Sequence, residues 1–273
     1  MTNRQSLYEM MKRKASCLCV GLDPDPDRIP AHLGIGVEAM EAFCHGIVQA
    51  TQRHAAAFKP NLAFFEQYGA AGWAALERIV AAMPEDVLVI ADAKRGDIGN
   101  TAKRYAKAMF EGLGAHAITV APYMGEDSVA PFMDGYADRW TIVLALTSNA
   151  GADDFEFHGT PPLYERVVER CQTWGSPDEL MFVVGATRPE QLRAIRSLAP
   201  DHFFLVPGVG VQGARIEDVM EAGWIEGAGG LLINASRSIL YASAGEEYAA
   251  AAALEAQKLQ EATAPYFTRT ASA

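Results

Sequence analysis

Cysteine is scarce in this chain. Cys17, Cys19, Cys44 and Cys171 are the only four in 273 residues, and none stands in the Cys-x-x-Cys spacing of a structural zinc site. They are expected to be reduced core residues in a cytosolic compartment. Long apolar runs are also missing: even Val87 to Ala91 stops at Asp92, far short of the roughly 20 residues a membrane-spanning helix needs. The polar start, Met1 to Lys14, carries Lys12, Arg13 and Lys14, and the apolar stretch after it is broken at Asp23, which is not the pattern of a signal peptide. A cytoplasmic location follows as an expectation, with no membrane partner. Positive charge is in deficit, 23 Lys and Arg against 34 Asp and Glu for a net charge of -11, so the molecule as a whole repels nucleic acid. A local cationic pocket for a small phosphate ester remains open. His32, His45, His54, His116, His158 and His202 form no metal-ligand spacing, and Gly208, Gly210 and Gly213 have no downstream acidic residue to complete a dinucleotide fingerprint. Neither a metal nor a nicotinamide cofactor is expected.

What is present is an ordinary globular composition, 50% hydrophobic and 21% charged, in a length that buries one large core. Eight short apolar runs read as strands: Ser16 to Leu22, Ala55 to Phe58, Val87 to Ala91, Ala115 to Val120, Thr141 to Leu146, Leu180 to Val184, Phe203 to Val206 and Gly230 to Ile233. Helical spacing fills most of the gaps, at Gly36 to Thr51, Gly72 to Ala82, Thr101 to Gly112, Leu163 to Trp174, Pro189 to Leu198 and Ile216 to Ala222. Tyr248 to Leu259, rich in alanine, reads as a terminal helix. Near-continuous apolar strands alternating with helices predict an α/β fold with a parallel sheet, and eight such units favour a closed (β/α)8 TIM barrel over a doubly wound sheet. No low-complexity linker divides the chain, so residues 1–273 are expected to form a single barrel domain with extra terminal helices.

In such a barrel the chemistry sits where the strands end. Those positions hold Asp23, Lys59, Asp92 with Lys94, Ser148, Gln212 and Arg237. Asp92 and Lys94, two residues apart on a strand, point to the same face. Opposite charges closing a core strand are expensive to desolvate unless paired, and catalytic sites are among the few places where function repays that cost. Each residue alone has a bland reading: Lys59 as a snorkelling surface side chain, Asp92 with Lys94 as a structural pair, Ser148 as a loop cap, Arg237 as a surface ion pair.

Taken together, Phe58-Lys59-Pro60-Asn61 and the decad Asp92-Ala93-Lys94-Arg95-Gly96-Asp97-Ile98-Gly99-Asn100-Thr101 resemble orotidine 5'-phosphate decarboxylase, specifically its longer bacterial branch. The likeness spans nearly the whole chain. It continues through Gly21-Leu22-Asp23-Pro24-Asp25, Thr147-Ser148-Asn149, Gly185 to Glu190, Pro207 to Gly213 and Asn234 to Ile239. The Asp-x-Lys-x-x-Asp element alone is shared with related phosphate-sugar enzymes; its combination with Lys59, Gln212 and Arg237 is more specific.

The resemblance implies decarboxylation of orotidine 5'-phosphate to uridine 5'-phosphate and carbon dioxide, with no cofactor or metal, at sites completed across a homodimer. By the same resemblance, Lys94 stabilises charge developing at C6 and then protonates it, Asp92 lies near the departing carboxylate, and Lys59 orients Asp92 and contacts ribose. Asp97 completes the neighbouring subunit's charge array, and Thr101 approaches that subunit's ribose. Asp23 is expected on ribose hydroxyls, Ser148 on the pyrimidine edge, Gln212 between phosphate ester and pyrimidine, Gly213 in the backbone cradle of the phosphate loop, and Arg237 on the phosphate. Arg95 and Asn100 are left outside the catalytic residues, and Asn149 is given no direct ligand contact. Two rivals stay open: a metal-dependent decarboxylase or aldolase for a phosphorylated sugar, which the Lys59 ammonium disfavours, and a noncatalytic nucleotide-phosphate binder, which has little reason to set Lys94 beside Asp92.

Overall fold

The computed structural model describes residues 3–209 and 214–268. Eight strands close into a parallel barrel in chain order: β1 (Leu18–Leu22), β2 (Ala57–Pro60), β3 (Leu88–Arg95), β4 (Ala117–Val120), β5 (Trp140–Leu146), β6 (Leu180–Val184), β7 (Phe204–Pro207) and β8 (Leu231–Ala235). Pairing of Leu18 with Ile233 and Val20 with Ala235 joins the last strand to the first. Residues such as Val20, Ile90, Ile118 and Phe182 have no water-accessible surface, as expected for strands covered on both faces, and this is why their runs lack a polar alternation. All eight expected strands are present, and two run further than their apolar residues. β2 includes Lys59 and β3 includes Asp92 through Arg95, so the chemical residues lie within the strand ends.

Around the barrel lie α1 (Arg4–Lys14), α2 (Gly36–Thr51), α3 (Ala63–Glu66), α4 (Gly69–Ala81), α5 (Gly99–Lys107), α6 (Ala152–Phe155), α7 (Leu163–Cys171), α8 (Pro189–Leu198), α9 (Ile216–Gly223), α10 (Arg237–Leu240) and α11 (Tyr248–Thr263). The helix expected over Thr101 to Gly112 begins at Gly99 and gives way to a π turn over Ala108–Gly112. α1 was hidden by its polar composition. Its Asn3 side chain accepts the Ser6 amide at 2.9 Å, and Leu7, Tyr8, Met10 and Met11 turn inward from an otherwise polar sequence. This helix covers the N-terminal mouth of the barrel. Tyr8 packs where a side chain on Gly229 (φ +79) would stand, and its ring stacks with Phe267 at 6.2 Å. Arg4 reaches Asp178 and Asp201 just before β6 and β7. With that mouth closed by both terminal segments, the C-terminal mouth is left for ligands. No helix among the described residues is long and apolar enough to cross a membrane.

Candidate active site

At the C-terminal mouth, β2 and β3 bring three charges together. Lys59 Nζ donates to Asp92 Oδ2 at 2.5 Å, and Lys94 Nζ donates to Asp92 Oδ1 at 2.5 Å. Burial alone would push the Asp92 carboxyl up; Lys59 and Lys94 overcome it and hold the group down at about 2. Burial would likewise lower Lys59, but Asp92 and then Asp23 outweigh it and raise its pKa. Both shifts have the same meaning: the Asp92 carboxylate and the Lys59 ammonium hold each other charged. The ammoniums differ in access. The Lys59 side chain is 7% exposed and that of Lys94 50%, so Lys94 is the cation presented to an incoming molecule.

The backbone that aims Lys94 is not a regular strand. Ala91 pairs with Ile118 and Arg95 with Val120, so Asp92, Ala93 and Lys94 on β3 stand opposite Thr119 alone on β4. This bulge puts Lys94 at φ +46, a left-handed conformation that costs a non-glycine residue roughly 1–2 kcal/mol. The alternation rule brought Asp92 and Lys94 to one face, but the contact is made through this irregularity. Thr119 is buried, and its hydroxyl lies 3.0 Å from the Ala93 amide, 2.9 Å from the Lys94 amide and 3.0 Å from Asp92 Oδ1. Sequence reasoning passed over it because threonine in Ala117-Ile118-Thr119-Val120 looks like another β-branched strand residue.

The other expected residues gather around the same mouth. Asp23 follows β1; its Oδ1 is buried with no hydrogen-bond partner among the described residues, an acceptor oxygen that a ligand hydroxyl would satisfy. Its loop is pinned by Tyr241, whose hydroxyl donates to the Asp23 carbonyl at 2.6 Å and accepts from the Asp25 amide at 2.6 Å. Sequence reasoning missed this tether between residues far apart in the chain. Ser148, after β5, is exposed between the ends of β6 and β7: a Cβ on Gly185 would come within 3.0 Å of the Ser148 nitrogen, so the small residue lets that loop approach. Glu156 anchors the same loop by accepting from both the amide and the hydroxyl of Thr147 at 2.7 Å. Arg237 is exposed at the start of α10 and makes no ion pair among the described residues. Asp97 is not part of its own chain's array; its Oδ1 accepts the Ile98 amide at 2.8 Å. Thr101 is exposed on α5, near Ile98 (53% exposed), while Tyr123 and Met124 after β4 are 89% and 48% exposed. Gln212 and Gly213 lie outside the described residues. The described residues contain no group of three or more His, Cys, Asp or Glu arranged to hold a metal ion.

Comparison with known proteins converges on one family. Residues 16–253 match the model of the orotidine 5'-phosphate decarboxylase / HUMPS family. The orotidine 5'-phosphate decarboxylase of Bacteroides fragilis is 47% identical over 265 residues, which cover 95% of this chain and 96% of that one. That of Christiangramia forsetii is 48% identical over 261 residues, covering 94% and 95%. Among solved structures, the OMP decarboxylase of Leishmania donovani superposes with a TM-score of 0.84 at 39% identity, covering 98% of this chain and all of the other.

Proposed function

Because the chain belongs to the orotidine 5'-phosphate decarboxylase / HUMPS family, we propose that its barrel mouth is the site where orotidine 5'-phosphate is converted to uridine 5'-phosphate and carbon dioxide, a cofactor-free step of de novo pyrimidine biosynthesis. The observation that carries this reading is the ionised array in which a buried carboxylate holds one enclosed ammonium and one half-open ammonium. Breaking the bond from C6 to the carboxylate leaves an electron pair in an orbital poorly placed to delocalise into the ring, so a fixed cation must be in place beforehand. Lys94 supplies it. Carbon dioxide departs, the electron pair at C6 takes a proton from Lys94 Nζ, and the neutral amine regains its proton from solvent. Lys59 holds Asp92 from the enclosed side and reaches ribose, and Asp92 holds Lys94 against its own flexibility. With the reacting groups already aligned, little reorganisation remains for the transition state.

Substrate contacts surround this array: Asp23 on ribose hydroxyls, Ser148 on the pyrimidine edge, Arg237 on the phosphate, Gln212 between phosphate ester and pyrimidine, and Gly213 among the backbone donors to the phosphate. The exposed guanidinium of Arg237, without an ion pair among the described residues, suits a phosphodianion, and the Asp23 oxygen, without a partner among them, suits a hydroxyl. The enzyme works as a homodimer in the cytoplasm, one barrel domain per chain, with Asp97 and Thr101 entering the partner's site. Support comes from Asp97, which among the described residues pairs with neither lysine of its own array and accepts the Ile98 amide, and from the exposed apolar side chains of Ile98, Tyr123 and Met124. Asp97→Ala and Lys94→Ala homodimers are then both severely impaired, whereas the mixed dimer, isolated through two different tags, recovers one intact site. A stable mixed dimer no more active than its parents removes the exchange of Asp97 between subunits.

The function itself is tested with purified protein after exhaustive chelation, by following loss of substrate absorbance and identifying uridine 5'-phosphate chromatographically. Turnover is expected without added metal. A folded protein that forms no product overturns the reading, and activity that returns only with magnesium favours the phosphorylated-sugar rival.

A further inference from the structure

We propose that Thr119 is a positioning residue for the decarboxylation, setting both the direction of Lys94 and the proton inventory of Asp92. The inference rests on the reading of Lys94 as proton donor. Three residues of β3 face this single residue of β4, so the amides of Ala93 and Lys94 have no ladder carbonyl in register to receive them. Both turn to the Thr119 hydroxyl, at 3.0 and 2.9 Å. A hydroxyl has two acceptor positions and one proton. Two amides can only donate, so they fill both acceptor positions, and the Thr119 proton is left to point at its third neighbour, Asp92 Oδ1 at 3.0 Å.

Two consequences follow from that count. Asp92 Oδ1 then accepts from Thr119 as well as from Lys94, and two donors on one oxygen favour the ionised carboxylate before substrate arrives. The Lys94 backbone, left-handed at φ +46, is held where its ammonium meets Asp92 by two hydrogen bonds to one side-chain oxygen. Serine at this position keeps the hydroxyl. Valine keeps the shape and loses it, stranding two amides and removing one of the two donors to Asp92 Oδ1.

Thr119→Val should lower kcat about 10- to 100-fold, the range for residues that orient a reacting group through an intermediary, with KM for orotidine 5'-phosphate changed less than about 3-fold. Thr119→Ser should recover kcat to within a few-fold of wild type. Amide hydrogen exchange of Ala93 and Lys94, measured on the same proteins without substrate, should accelerate at least about 10-fold in Thr119→Val and return in Thr119→Ser. Thr119→Ala serves the same comparison if the valine variant does not fold. Valine and wild type alike in kcat, or serine as impaired as valine, overturns the assignment. If wild type itself does not turn the substrate over, the decarboxylase reading fails, and the exchange measurement still decides whether Thr119 holds the bulge.

Discussion

Each mouth of the barrel shields a cation from water, and the two are stabilised in opposite ways. At the C-terminal mouth Lys59 faces a carboxylate, and its pKa is raised in spite of burial. At the N-terminal mouth Arg196 is held by backbone carbonyls and a ring: its guanidinium donates to the carbonyls of Gly223, Ala199, His202 and Gly230 at 2.6–2.9 Å and lies 3.7 Å from the centre of the Phe204 ring. There burial dominates and pushes its pKa down to about 9, still cationic at neutral pH. Carbonyl dipoles secure a charge but leave nothing to react. A carboxylate shared by two lysines keeps one ammonium both charged and within reach of a ligand. The comparison separates a charge that ties loops together from a charge that is kept available for chemistry.

The sharpest way to break this contrast is to remove the available cation. Lys94→Ala should reduce kcat/KM by at least about 10³-fold, as for loss of a preorganised electrostatic group, while the half-exposed side chain leaves the thermal midpoint within a few degrees of wild type. Single-turnover formation of uridine 5'-phosphate, read beside a melting curve, checks both. The converse belongs to the other mouth. Arg196→Met should strand carbonyl acceptors and destabilise the fold by about 3 kcal/mol, lowering the melting temperature by roughly 5–10 °C, with kcat unchanged below that transition. An Arg196 variant that folds normally but loses turnover would erase the distinction.

Acid titration sharpens it further. The folded Asp92 carboxyl is depressed from 3.8 to about 2, so the unfolded chain binds its proton first on acidification. Its stabilisation is therefore complete above about pH 4 and is lost as pH falls through about 2. This is on the order of 2 kcal/mol from a shift of that size. Lys59, shifted upward, contributes fully below its unfolded value of 10.5 and loses that contribution as pH rises through its folded value. Urea unfolding from pH 5 downward should show the acid loss in wild type and a shallower one in Asp92→Asn; equal slopes would mean that Asp92 is not held down by the lysines. The smallest effect is expected from Tyr241→Phe, which frees the Asp23 carbonyl and the Asp25 amide, costs about 1 kcal/mol and raises KM a few-fold with kcat retained. An unchanged KM would show that the Asp23 loop needs no tether.

The strands could be read from sequence because burial on both faces leaves runs such as Thr141 to Leu146 almost wholly apolar, and Lys59, Asp92 and Lys94 stood out as charges at the ends of such runs. What stayed hidden depends on pairings between distant segments. Nothing local marks Lys94 for a left-handed backbone; no glycine stands there, and the conformation is imposed by the register of β3 against β4. Thr119 and Tyr241 look ordinary until those strands and loops are brought together. Arg196, in a helix with exposed neighbours, reads as a surface charge until the carbonyls before β7 and β8 converge on it.

The stacking of Tyr8 on Phe267 against the closed mouth has a consequence for engineering. The first helix and the last described segment meet on the face opposite Lys94. A flexible bridge joining these two described segments, with new ends cut at the exposed turn around Asp178 between α7 and β6, would yield a circular permutant that keeps every neighbouring strand pair. Because both the bridge and the cut lie on the face away from the array, such a permutant should retain turnover, and the order in which the β/α units leave the ribosome could be varied without altering the chemistry.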